Sequence, residues 1–169
     1  MKPKFMLDTN ICIYLMKHQP PQVRARFAEC FVGDVVISAI TLAELEFGVV
    51  SSGKAQERNQ TQLNSLLEDI VVAPFEAGAA RAYGPLRAAN QERNKNALDK
   101  LIASHALSLG VTLVTNNEAD FRGFAGLHVE NWVKAIEADA GSKGLRLSQY
   151  RETKFFWQSR WCQHINLNT

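Results

Sequence analysis

The chain has no disulfide framework to read. Its 169 residues hold three cysteines, Cys12, Cys30 and Cys162, an odd number with no close pair. That usage excludes a stapled secreted scaffold and a cysteine-built zinc site, and Cys12, inside an apolar segment, reads as buried packing. The four histidines, His18, His105, His128 and His164, share no i, i+4 ligand spacing. His105 reads as a helix-face residue and the others as surface. No apolar run reaches the ~18 residues that a membrane span needs. Asp8 interrupts the apolar stretch near the N-terminus, so no secretion signal is read there and the expected location is cytoplasmic.

A general excess of basic charge is also missing. The formal net charge is +2, but residues 1–133 carry 13 Lys+Arg against 14 Asp+Glu, and residues 134–169 carry 6 against 3. The body is therefore not a broad basic nucleic-acid binder. Any polyanion it handles must be held by a local patch and by bound metal.

What is present is a soluble-type composition, 46% apolar and 21% charged, arranged as strands alternating with helices. Residues 4–7 read as a short buried strand. Residues 10–17 read as a helix, broken by Pro20-Pro21 before a second helix to about Cys30. A strand at 35–38 precedes a helix that Thr41 can cap, running to about Val50. A helix follows over about 56–69, then a strand at 70–73 ending at Pro74. A long helix over about 76–92 should kink or split at Gly84-Pro85. Asn96 should cap a helix whose stripe is Leu98, Leu101, Ile102, Ala106 and Leu109, with Gly110 closing it. A strand at 111–115, a short helix near 118–121 and a last strand near 127–131 complete the body. This alternation implies an α/β fold with a central parallel sheet and helices on both faces. After Trp132 the character changes. Gly141-Ser142-Lys143-Gly144 reads as a hinge, followed by Tyr150, Phe155, Phe156, Trp157 and Trp161 among Arg146, Arg151, Lys154 and Arg160. We divide the chain into a body, 1–133, and a C-terminal extension, 134–169.

Four carboxylates fall just past a strand or at the start of a helix: Asp8, Glu44, Asp99 and Asp120, with Glu118 beside the last. In alternating strand–helix folds such places converge at the carboxyl edge of the sheet. Oxygen-rich acids with no basic partner written beside them suit hard divalent cations. Each also has a plainer reading. Asp8 can cap the helix after it. Thr41-Leu42-Ala43-Glu44 is a capping box. Asp99 can serve a helix N-terminus, although it shares a face with Ile102, Ala103 and Ala106. Asp120 and Glu118 can be cap or loop residues, and Asn117 can orient a water. Glu46 lies about two hundred degrees of helix rotation from Glu44 and reads as facing solvent or a partner.

Taken together the motifs resemble the PIN-domain ribonucleases, in particular VapC-type toxins of toxin–antitoxin pairs. The resemblance rests on Phe5-Met6-Leu7-Asp8-Thr9-Asn10 and on Ser38-Ala39-Ile40-Thr41-Leu42-Ala43-Glu44-Leu45 with Gly48. It continues through Leu98-Asp99-Lys100-Leu101-Ile102-Ala103 and Leu113-Val114-Thr115-Asn116-Asn117. It ends with Asp120-Phe121, Gly126-Leu127 and Val129-Glu130-Asn131-Trp132. It covers about residues 4–133 and implies a PIN-like three-layer fold. It also implies a Mg²⁺- or Mn²⁺-dependent endoribonuclease with Asp8, Glu44, Asp99 and Asp120 as catalytic and metal-binding residues. Many relatives place an acid where this chain has Asn117, which leaves Asp120, or else Glu118, to complete the set. The implied substrate is a structured RNA such as a tRNA, cut in a single-stranded loop. The implied partners are a VapB-like antitoxin and a second copy of the chain. Arg87, Arg93, Lys95 and Lys100 flank the Asp99 helix and are candidate RNA-backbone contacts, with a solvated helix face as the plainer reading. Two alternatives remain: an inactive homologue that only binds antitoxin, and a haloacid-dehalogenase-like phosphatase, which would need an Asp where Asn10 stands.

Overall fold

The computed structural model describes residues 2–89 and 97–134. Among the described residues, five short strands form one sheet: β1 (Phe5–Leu7), β2 (Val35–Ser38), β3 (Val71–Ala73), β4 (Thr112–Val114) and β5 (Val129–Glu130). All pairings are parallel, in the order β3-β2-β1-β4-β5. The chain thus builds outward from β1 in one direction, then returns to pair β4 on its other side. The switch point lies between the carboxyl ends of β1 and β4, where open α/β sheets bind their ligands.

Strand alternation sorts the core into two layers. Met6, Val36 and Leu113 face one side, with Leu86, Ile102, Ala103, Ala106 and Phe121. Leu7, Ile37 and Val114 face the other, with Ile11, Leu15, Leu45, Leu63 and Leu66. The second face is covered by α1 (Thr9–Met16), α2 (Pro21–Ala28), α3 (Ala39–Val50) and α4 (Gln56–Asp69). The first is covered by α5 (Ala77–Ala89), α6 (Ala97–Leu109) and the single turn α7 (Glu118–Phe121). The expected sheet with helices on both faces is what forms. Gly110 closes α6 at φ +63°, a left-handed conformation suited to glycine.

Three local expectations are corrected. α3 starts at Ala39, capped by Ser38, whose side chain accepts from the Ile40 amide. Thr41 is therefore inside the helix, fully buried, and the capping box with Glu44 does not form. α5 runs as one helix through Pro85. Proline there removes a single N–H, while packing against α6 holds the rest of the helix. Leu98 is 45% exposed rather than part of the buried stripe; His105 lies on a helix face, as read, and that face is buried in the core, with the residue 1% exposed. The broader buried face of α6 takes in residues 102–106, because α6 lies between the sheet and α5. The Asn96 cap and the extension 134–169, apart from Lys134, lie outside the described residues.

Candidate active site

Asp8 follows β1 directly and continues its pairing, its amide donating to the Val114 carbonyl at 2.9 Å. It is 4% exposed. Oδ1 accepts from the Thr9 amide and Oδ2 from Thr115 Oγ1, each at 2.8 Å. Asp8 is the N-cap of α1, so the plainer reading is correct as far as it goes. It accounts for one oxygen only. Burial pushes the carboxyl above its ordinary value; the Thr115 and Thr9 hydrogen bonds oppose this, and Glu44 and Asp120 add to it.

Glu44 sits in the second turn of α3, and its Oε2 accepts from Thr9 Oγ1. Thr9 therefore links the two acids, giving its amide to Asp8 and its hydroxyl to Glu44. Asp99 lies in the first turn of α6. Its carboxyl is pushed up to about 6, first by burial and then by Asp8, Asp120 and Glu44. Among the described residues, the charges acting on Asp99 are other carboxylates. Asp120, in α7, accepts from Asn117 Nδ2 and is felt by both Asp8 and Asp99. Elements from both ends of the chain's winding thus bring four acids into one field at the switch point.

Glu118 behaves differently. Lys134 Nζ and Asn131 Nδ2 each approach its Oε1 at 2.7 Å, and the Lys134 hydrogen bond, followed by that of Asn131, holds its carboxyl below the ordinary value. It belongs to a polar rim in which Asn116 also donates to Tyr14 Oη at 3.0 Å.

Thr115 is a residue that sequence reasoning missed. It is fully buried, donates to Asp8 and accepts from the Asn117 amide at 3.0 Å, so it connects the first acid to the loop carrying the fourth. The available signal was a hydroxyl ending the apolar run of β4. Among the proposed RNA contacts, Arg87 is exposed in the last turn of α5, its guanidinium 5.7 Å from the Tyr83 ring centroid. Lys100 is only 6% exposed, so it does not stand on the open helix face expected for an RNA contact. Arg93 and Lys95 lie outside the described residues. Cys12 is fully buried; burial, then Asp8, pushes its thiol far up, so it packs as an uncharged side chain.

Among the described residues, no three His, Cys, Asp or Glu side chains form a ready-made metal cage. The donor set still fits a hard divalent cation. It is all oxygen, it is mutually repelling, and Mg²⁺ keeps most of its waters while taking only one or two carboxylates. A cation among these acids would relieve the repulsion that raises Asp8 and Asp99.

Fold and acid cluster together define a PIN domain, and residues 5–127 match the PIN domain family model. The chain belongs to the PIN-domain family, within its VapC group. It is 42% identical over 131 residues to the tRNA(fMet)-specific endonuclease VapC of Shigella flexneri, covering 76% of this chain and 98% of that one. It is 38% identical to Ribonuclease VapC2 of Rickettsia felis, covering 77% and 98%. Among solved structures, DNA-bound VapBC from Salmonella typhimurium superposes with TM-score 0.70 at 37% identity, covering 77% of this chain and 98% of that one. VapBC2 from Rickettsia felis bound to a promoter DNA fragment gives TM-score 0.68 at 37% identity, covering 76% and 98%. About a quarter of this chain thus lies outside relatives that are matched almost end to end.

Proposed function

We propose that this protein is a Mg²⁺- or Mn²⁺-dependent endoribonuclease and the toxin of a toxin–antitoxin pair. The observation that carries the reading is the convergence of Asp8, Glu44, Asp99 and Asp120 at the switch point of the sheet, where burial and then the other three acids raise the Asp99 carboxyl to about 6. Crowding of this kind destabilises the fold unless a cation relieves it, so it marks a functional site. When bound, a divalent ion supplies an activated water and neutralises charge developing on the phosphodiester. The chain's own residues do the rest. Asp8 and Asp99 would hold the ion most closely, with Glu44 and Asp120 contributing directly or through water. Thr115 and Thr9 fix the Asp8 carboxylate, and Thr9 also orients Glu44. Asn117 aims Asp120.

The substrate class is a structured RNA, cut in a single-stranded loop. Support comes from the relative named for tRNA(fMet), and from a body whose charge balance leaves the phosphate backbone to a local patch including Arg87. Solved relatives are VapBC complexes, which supports a VapB-like antitoxin as the physiological partner, alongside a second copy of the chain. Residues 134–169 are an addition to the nuclease body.

Sequencing of RNA ends after brief expression, beside an Asp8→Asn control, tests the activity. Purified protein should cut that RNA with Mg²⁺ or Mn²⁺ and stop on chelation. Full cleavage after exhaustive chelation, or by Asp8→Asn, would overturn the mechanism.

A further inference from the structure

Two of the acids ride on helices that are joined at a point away from the acids themselves. His105, on α6, lies six residues after Asp99 and is 1% exposed. Its Nδ1 stands 2.9 Å from Ser38 Oγ. Ser38 ends β2 and caps α3, six residues before Glu44. Ser38 Oγ also accepts from the Ile40 amide at 3.1 Å, so donating its own proton to Nδ1 would use its remaining hydrogen-bonding capacity as a donor and leave the ring as the neutral Nε2–H tautomer. The Pro74 backbone, just past the end of β3, acts on the ring in the direction opposite to burial. Phe75 meets the ring edge-on, with centroids 5.4 Å apart. Glu76 is the charged group acting on the ring, and burial outweighs it, which keeps the imidazole neutral.

An aliphatic side chain would fill this core position without the cost of burying two ring nitrogens. Nδ1 instead reaches Ser38, on a separate element. Six helical residues span about 9 Å, and a helix transmits a shift at its fixed end to the acid it carries. We propose that His105 is a positioning residue: a buried, neutral bridge from α6 to Ser38 at the start of α3, which sets Glu44 against Asp99 and thereby tunes divalent-cation binding. This rests on the metal-dependent nuclease reading above.

The test is Mn²⁺ titration by calorimetry at pH 7.5 on the full chain, with thermal melts in EDTA to confirm folding. His105→Phe keeps a ring against Phe75 but has neither donor nor acceptor. His105→Gln keeps one of each. We expect His105→Phe to bind Mn²⁺ about tenfold more weakly and His105→Gln to stay within about threefold of the parent, a rescue that plain packing would not give. Parent-like affinity in His105→Phe, or equal loss in both variants, overturns the proposal. A parent protein that binds no Mn²⁺ overturns the nuclease reading itself. Should His105→Phe fail to fold, ¹⁵N imidazole spectra of the parent decide: the Nε2–H tautomer, with an Nδ1 resonance that moves on adding Mg²⁺, is expected. Absence of either feature refutes the bridge.

Discussion

Asp99→Asn should make the metal-free protein more stable while abolishing its cleavage of RNA. The carboxyl is raised from its ordinary 3.8 to about 6 by burial and by three neighbouring carboxylates. At ~1.36 kcal/mol per pH unit, that gap corresponds to roughly 3 kcal/mol against the ionised form. Solvent reaching this partly exposed group, and the cost of burying an amide in its place, reduce the net gain to about 1–1.5 kcal/mol. For a body of this size the melting temperature should rise by roughly 3–8 °C in EDTA at pH 7.5. The sign follows from proton uptake. A carboxyl with a raised folded-state value favours the fold while protonated, and that contribution is lost as pH rises from about 4 through about 6. The asparagine does not titrate, so its advantage should be full above pH 6, shrink below it and vanish near pH 4. Adding Mn²⁺ should reverse the order, raising the melting temperature of the parent more than that of the variant. Melts by circular dichroism over pH 4–8, with and without EDTA, read all of this. An Asp99→Asn protein that melts no higher than the parent at pH 7.5 in EDTA would refute the crowding argument, whatever its activity.

Glu44→Gln keeps an acceptor for Thr9 Oγ1 but removes the charge; cleavage should fall at least a hundredfold with little change in melting temperature, and parent-like cleavage would return Glu44 to a structural role. Asp120→Asn should lose most activity, whereas Glu118→Gln should retain it and lose only the Lys134 contact, as read in single-turnover RNA cleavage. Thr115→Val leaves Asp8 with one fewer donor to a buried carboxylate; we expect a loss of about 1.5–3 kcal/mol in urea unfolding at pH 7.5, with cleavage shifted to require higher pH because Asp8 is then harder to ionise. A chain ending at Lys134, which keeps the Glu118 contact, should fold and cut with an unchanged metal requirement, and its RNA binding should depend less steeply on salt because positive charge is removed.

The architecture was legible because its signal is local. Each strand is a short apolar run, and each helix shows a stripe or a breaker, so Val35–Ser38 and Gln56–Asp69 have the bounds the pattern implies. The acids were legible for a related reason: a charge set directly against a buried strand, as Asp8 is, has few structural excuses. The residues that were not legible act through pairings that sequence spacing hides. Thr115 is 107 positions from Asp8, and His105 is 67 from Ser38; only the parallel register of β1 on β4, and the packing of α6 against α3, which Ser38 caps, bring them together.

Glu44 shows how the two kinds of information combine. From sequence, Thr41-Leu42-Ala43-Glu44 offered a capping box as complete as any, and local chemistry alone could not choose between cap and ligand. The choice fell to three residues of register. Ser38 takes the cap, because its backbone is still extended at φ −70°, ψ 147° as β2 ends. α3 therefore begins at Ala39, Thr41 falls within its first turn, and the box with Glu44 has no N-cap to form on. Thr41 is turned inward, its hydroxyl buried without a partner in the structure. Glu44 is released from the backbone and meets Thr9, the residue whose amide holds Asp8. A helix starting three residues later, with Thr41 as its N-cap, would have left Glu44 as a cap and the cluster with three acids, so the place where α3 begins decides whether this edge of the sheet can attract a cation.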